Sequence, residues 1–204
     1  MARFALTGTP RLTAEAMEMG AVQICSELES LIDIVSDFLP SNVMEIGSEA
    51  GGTFYVWCQL ASQEGIKISL DKPNGNSGSW RFVEADALAQ RTALFQSFAP
   101  NVKVITGDSH SSIAKESVRS ALSGELLDFL FIDGDHSYEG VKADYFDYRR
   151  YVRKGGLIAF HDIKDTDYHR ARGCFVADFW NELEGKKKEL LSGDEWGGIG
   201  VLEN

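Results

Sequence analysis

Acids and histidines gather in three short segments, and each segment follows an apolar run. The first is Glu45-Ile46-Gly47-Ser48-Glu49-Ala50-Gly51-Gly52-Thr53. Glycines placed after an apolar run let backbone approach a ligand closely. The segment lacks the Gly-Lys-Ser/Thr of a phosphate loop. Its glycine spacing also differs from the G-x-G-x-x-G of a dinucleotide fingerprint. A plain tight turn would use the same glycines. Asp71 ends the next apolar run, where a carboxylate can accept two hydrogen bonds from a ribose diol. Together these features favour a ligand with a ribose and no pyrophosphate.

The second segment, Phe131-Ile132-Asp133-Gly134-Asp135-His136-Ser137-Tyr138, delivers two aspartates and a histidine at the exit of a strongly apolar run. Asp135 or Ser137 can cap the helix that follows, but Asp133 comes too early for that. The third is His161-Asp162, again after an apolar run. The pair reads either as a satisfied loop or, with Asp133 on the neighbouring strand, as ligands of one cation. Oxygen donors with at most one imidazole suit Mg²⁺, Mn²⁺ or Ca²⁺. His110, in Gly107-Asp108-Ser109-His110, is expected to line the pocket, and His169, among charged residues, to lie at the surface. Trp80 is placed to close over a ligand, whereas the other tryptophans read as core or rim.

These residues need a scaffold that brings strand ends together. A helical pattern runs from about Thr13 to Leu39, with Ile24, Leu28, Leu31, Ile32 and Val35 at three- and four-residue spacing. Short apolar runs then alternate with helical stretches. Strands are expected at 43–47, 66–71, 102–106, 127–133 and 157–161, with two more near 188–191 and 199–202. Helices are expected over 53–62, 85–98, 112–122, 138–152 and 171–183. Lys72 to Ser79 is the most loop-like stretch. This alternation predicts an α/β fold with a mostly parallel seven-stranded sheet and helices on both faces. Ligands then bind at the carboxyl ends of the strands, where the unusual residues lie. The whole chain reads as one domain, with a helical segment over 1–40 and the sheet-containing core over 41–204.

Composition narrows the partners. Of 204 residues, 31 are acidic and 20 basic, for a formal net charge of −11. That field repels nucleic acids and anionic lipid surfaces. The basic groups Arg149, Arg150, Arg153, Lys154 and Lys186 to Lys188 are expected to be solvated helix faces. The three cysteines, Cys25, Cys58 and Cys174, have no CxxC spacing, which fits a reduced compartment rather than a disulfide framework. With no leader-like or membrane-length apolar run, a cytoplasmic location is expected. The sequence does not set the oligomeric state; a homodimer is one option.

The stretch FIDGDHSYEGVKADYFDYRRYVRKGGLIAFHD, supported by VMEIGSEAGGT and ISLDKPNG, resembles the class I S-adenosylmethionine-dependent methyltransferases. It is nearest to the bacterial branch that methylates small molecules and sugars. The resemblance runs from about Gln23 to Leu202 and implies a Rossmann-like methyltransferase fold. It implies that Glu45, Gly47, Ser48 and Gly51 shape the cofactor loop, with Asp133 beside it. By the same resemblance Asp71 holds the ribose hydroxyls, and Asp108 and Ser109 flank the adenine. Asp133, His161 and Asp162 match the positions that hold a cation such as Mg²⁺ in metal-dependent relatives, although relatives carry an acid or amide where His161 stands. His136 matches the base histidine of sugar-methylating relatives. The expected activity is O-methylation of a small-molecule hydroxyl, on a sugar or other diol. Three alternatives stay open: methyl transfer without a metal, a dinucleotide-dependent oxidoreductase, and, suggested by His161-Asp162, a metal phosphohydrolase. A non-catalytic cofactor-binding protein is a fourth.

Overall fold

The computed structural model of the chain describes residues 8–72 and 85–204. Helices α1 (Thr9–Glu18) and α2 (Cys25–Phe38) open it. The sequence pattern suggested one helix here. The chain instead breaks after Met19, where the Ala21 N–H reaches back to the Ala16 carbonyl at 2.9 Å, a helix-ending bond. Five parallel strands then follow with helices between them: β1 (Val43–Ile46), α3 (Gly52–Leu60), β2 (Lys67–Asp71), α4 (Ala85–Gln96), β3 (Val102–Thr106), α5 (Ser112–Leu122), β4 (Leu127–Ile132), α6 (Tyr138–Tyr148) and β5 (Val152–His161). Short helices α7 (Asp167–Arg170) and α8 (Val176–Glu182) replace the single helix expected over 171–183. Strands β6 (Lys187–Leu190) and β7 (Ile199–Glu203) complete a seven-stranded sheet.

The strand order is β3-β2-β1-β4-β5-β7-β6, with β7 antiparallel to both β5 and β6 and the other pairings parallel. This is the Rossmann-like methyltransferase fold, with helices on both faces. Strand β4 shows why the sheet is covered twice. Phe129 and Phe131 point to one face and pack with Leu28, Leu31, Val35 and Trp57 from α2 and α3. Leu130 and Ile132 point to the other, among Val118, Tyr145 and Phe179 from α5, α6 and α8. Period-two alternation thus feeds two apolar layers, as a buried parallel strand must. Lys187 and Lys188 lie on the edge strand β6 rather than on a helix face; lysines there discourage strand-to-strand association. The three cysteines are free. Among the described residues, no helix is long and apolar enough to cross a membrane.

Chain order reverses beside β1, which pairs with β2 on one side and β4 on the other. Such a reversal opens a crevice at the carboxyl ends of the two central strands. The loops leaving β1 and β4 are stitched across it: Gly47 N–H donates to the Leu70 carbonyl and Asp133 N–H to the Ile46 carbonyl, both at 2.9 Å. Gly47 has φ 86°, and a Cβ at this position would overlap the Asp133 backbone carbonyl. Gly47→Ala is therefore expected to lose at least ~2 kcal/mol, from left-handed strain plus overlap, seen as a thermal midpoint roughly 4–8 °C lower. Gly124→Ala, at φ 93° with open space around it, should lose only the strain. Equal drops in the two melting curves would show that the contact with Asp133 is not what demands glycine.

Candidate cofactor and active site

The β1–α3 loop forms one wall of a small cleft together with Gly20, Gln23 and Asp133. Beneath it, Glu45 is fully buried on β1. Its Oε1 accepts from Thr53 Oγ1 at 2.6 Å, while Oε2 has no partner. Burial pushes this carboxyl well above the usual range, and the nearby Asp133 and Asp71 push it further. Ser69 Oγ donates to Ser48 Oγ at 2.9 Å, which fixes the Ser48 side chain. Gly51 caps α3, and Phe95 packs against it. From the α1–α2 connection, Gln23 donates through Nε2 to Asp133 Oδ2 at 2.9 Å; its Oε1 is buried without a partner. Two unsatisfied buried oxygens, Gln23 Oε1 and Glu45 Oε2, thus lie close to the cleft, an arrangement that suits a ligand with hydrogen-bond donors.

Asp71 ends β2 beside this wall. Its Oδ2 accepts from Glu49 N–H and from the Arg91 guanidinium, and its Oδ1 from Lys72 N–H, all at 2.9 Å. Burial raises its pKa against the opposing charge of Arg91. Oδ1 keeps a lone pair for a hydroxyl, whereas Oδ2 is held by Arg91. Arg91 also donates through Nε to the Glu49 carbonyl and lies over the Phe95 ring, so it braces loop and acid together. Asp108 is half-exposed at the end of β3. Lys72 holds its pKa low through a contact of 2.9 Å. Ser109 offers its carbonyl to the Tyr148 hydroxyl at 2.6 Å. Next to it, His110 Nε2 stands 3.1 Å from Oδ1 of the fully buried Asp144.

The exits of β4 and β5 hold a denser group. Asp133 Oδ1 is hydrogen-bonded to His136 Nε2 at 3.1 Å and lies 3.2 Å from His161 Nδ1. That nitrogen is also 3.4 Å from Asp162 Oδ1. His136 Nδ1 faces Asp162 Oδ2 at 3.4 Å. Asp133, His161 and Asp162 can each offer a donor atom within 4.8 Å of the others, and so can His136, Asp162 and Cys174. Burial alone would raise both acids, but His161 and the other imidazoles hold Asp133 low and Asp162 well below the usual carboxylate range. Burial lowers His161, yet Asp133 and Asp162 lift it to about 9. Ser137 caps α6, accepting from Gly140 N–H at 3.1 Å, and Asp135 Oδ1 accepts from Ser137 N–H. Capping therefore explains Asp135 and Ser137 but not Asp133.

The crevice thus brings Glu45, Gly47, Ser48 and Asp133 to one wall, Asp71 and Asp108 to its β2–β3 side, and His136, His161 and Asp162 to its β5 side. His169 is a correction. It is buried, because its Nδ1 donates to the Lys164 carbonyl at 2.7 Å and its Nε2 accepts from Gly197 N–H at 3.2 Å. The expected loop from Lys72 to Trp80, including the Trp80 closure, lies outside the described residues beyond Lys72. Gln23, Arg91 and Asp144 join the site without having stood out in the sequence.

Comparison with known proteins agrees with this fold. Residues 44–163 match the family model described as a methyltransferase domain. An uncharacterized protein of Acanthamoeba polyphaga mimivirus is 32% identical over 122 residues, which make up 60% of this chain and 51% of that protein. The chain therefore spans about half the length of this curated relative. Two solved structures share the fold at low identity. The O-methyltransferase TomG from Streptomyces achromogenes, solved in complex with SAM, has a TM-score of 0.63 at 14% identity, covering 98% of this chain and 91% of that one. An O-methyltransferase from Bacillus cereus in complex with SAH gives 0.61 at 16%, covering 96% and 89%.

The His110–Asp144 pair makes folding depend on pH. Asp144 lifts the His110 pKa to about 9, above its ordinary 6.5, so the folded chain holds this proton more tightly than the unfolded one. The contribution is complete below pH 6.5 and is lost as pH rises through 9. The thermal midpoint of the native chain is expected to fall across this window more steeply than that of His110→Asn. Parallel curves in a calorimetric pH series would remove the pair from the stability of the site.

Proposed function

This chain belongs to the methyltransferase-domain family, and from that premise we propose that it transfers a methyl group from S-adenosylmethionine to a hydroxyl oxygen of a small molecule, assisted by a divalent cation. The observation that carries the reading is the position of Asp133. One of its carboxylate oxygens faces the β1–α3 cleft through Gln23, and the other faces His136 and His161. A cofactor at the loop and an acceptor at the histidines would then meet at one residue. Cofactor-binding roles for Glu45, Gly47, Ser48, Gly51, Asp71, Asp108, Ser109 and Asp133 are part of the proposal. The net charge of −11 supports a small acceptor over a nucleic acid.

The donor set fits a cation: buried Asp162 Oδ1 has no hydrogen bond, and His161 and Asp133 stand beside it. When bound there, a dication would lower the pKa of an acceptor hydroxyl and orient a diol. The rest falls to the chain. S-adenosylmethionine, when bound, would supply the methyl carbon to the acceptor oxygen, with S-adenosylhomocysteine and a methyl ether as the products. In this displacement the cleft must hold sulfur, carbon and oxygen in line. The hydroxyl proton passes to His136. Its Nε2–H donates to Asp133, which fixes the tautomer and leaves Nδ1 with a lone pair to accept that proton. The backbone carbonyl of His136 accepts from Phe175 N–H at 2.8 Å, which anchors the loop. This Asp133–His136 pair also favours a second reading, in which His136 works as base with no metal at all.

Calorimetry with S-adenosylmethionine and S-adenosylhomocysteine is expected to show micromolar binding that Asp71→Ala abolishes. No binding, with or without Mg²⁺, would refute the cofactor. With an acceptor found by screening sugars, catechols and other diols, His136→Ala should lower turnover by about 10²–10⁴ while cofactor affinity stays the same. Unchanged turnover would take His136 out of the mechanism, and turnover that survives EDTA and is not raised by Mg²⁺ would favour the metal-free reading.

A further inference from the structure

We infer that His161 makes the centre at the β4 and β5 exits selective for a first-row transition-metal dication, from Mn²⁺ to Zn²⁺, over Mg²⁺; this rests on the cation-assisted reading above. Donors bonded to one such ion at about 2.1 Å stand roughly 3.0–3.4 Å apart. His161 Nδ1 stands 3.2 Å from Asp133 Oδ1 and 3.4 Å from Asp162 Oδ1. Asp162 Oδ1 is buried with no hydrogen-bond partner of its own. Three donor atoms from Asp133, His161 and Asp162 this near one another can close on one ion.

His169 sharpens the case. Its Nδ1 must donate to the Lys164 carbonyl, and its Nε2 accepts from Gly197 N–H. These bonds fix the ring with its Nε2 3.2 Å from Asp162 Oδ1, so that oxygen is held in place by a buried wall. His161 cannot turn aside to avoid the role. It is 3% exposed and lies between the rings of Phe131 and Trp196.

The donor types then choose the ion. Mg²⁺ prefers oxygen and water and rarely takes an all-protein cage. Imidazole nitrogen suits the later first-row ions, whose affinities for such donors rise along the series toward copper. An acid or amide at this position would give an oxygen-only set. Here His161 supplies nitrogen at the centre.

The test uses the full chain, stripped with EDTA and desalted, then titrated calorimetrically with Mg²⁺, Mn²⁺, Co²⁺ and Zn²⁺. Co²⁺ and Zn²⁺ are expected to bind at least ~100-fold more tightly than Mg²⁺. In His161→Asp the ratio should fall at least tenfold. Should that variant fail to fold, Mn²⁺ electron spin-echo spectra of the native chain still report on a directly bound imidazole nitrogen. Mg²⁺ binding within tenfold of Co²⁺, an unchanged ratio in His161→Asp, or spectra without a nitrogen coupling would each overturn the inference. S-adenosylmethionine titrated into the same samples separates the two ideas. Nucleoside binding without ion preference overturns the inference alone, and ion preference without nucleoside binding overturns the methyl-transfer reading alone.

Discussion

Backbone contact between Gly47 and Asp133 ties the two halves of the crevice together. The loop leaving β1 passes so close to the Asp133 carbonyl that no Cβ fits between them, and the Asp133 amide is spent on the Ile46 carbonyl. Asp133 therefore leaves β4 in a direction set by β1. Its side chain, with one oxygen toward Gln23 and the other toward His136 and His161, inherits that direction. A wider loop would let the carboxylate turn. The two groups of site residues would then lose their common member, and a misplacement of 1 Å is enough to cost much of the rate of an in-line transfer.

Charge follows the same geometry. An ionised side chain taken out of water costs several kcal/mol unless it is paired. Asp71 is paired with Arg91, Asp144 with His110, and Glu27 with Lys164. Lys67, fully buried at the start of β2, gives its ammonium to the carbonyls of Ser62, Gln63 and Gly65. Asp144 has no aligned hydrogen bond on either oxygen beside His110, and two further acids keep an open oxygen. Glu45 meets only a hydroxyl, and burial pushes its proton affinity up. Asp162 keeps its charge but leaves Oδ1 without a donor. Both lie at the crevice, one under the glycine loop and one at the exit of β5. Unsatisfied polar atoms at a crevice suit a ligand supplied from outside the chain.

Much of this was legible in the sequence, for a local reason. A parallel strand buried on both faces reads as an apolar run, and an acid directly after it must lie at the sheet's carboxyl edge. That logic placed Asp71, Asp133 and Asp162 on one rim from the sequence, whereas Glu45 lies within β1 itself. Its reach ends where partners are distant in sequence. Gln23 meets Asp133 across 110 positions, and nothing near Gln23 signals it. Arg91 stands four residues before Phe95, a helical spacing that hints at a shared inward face; its acid comes from another strand. His169 sits among Asp167, Arg170 and Arg172 and reads as solvated. Its burial comes from the Gly197 amide, 28 positions away. The N-terminal helical pattern overran because apolar spacing continues across 19–24, where the chain turns.

The β5 side of the crevice depends in turn on a carboxylate far from it in sequence. Glu27, buried on α2, accepts from Ser192 N–H through Oε1 and from Gly198 N–H through Oε2, both at 2.7 Å. Lys164 sits against it at 3.1 Å and donates to the carbonyls of Ser192, Asp194 and Trp196. One acid and one ammonium thus fold the segment between β6 and β7 onto the exit of β5. That fold delivers the Gly197 amide to His169 and sets the Trp196 ring against His161. Without it His169 would lose the Gly197 amide, and His161 would lose one of its walls. The antiparallel hairpin at the sheet edge thus sets the surroundings of both histidines beside the acids. Helix α2 acts through Glu27 on the chemistry of β5, even though it contributes no residue to the cleft.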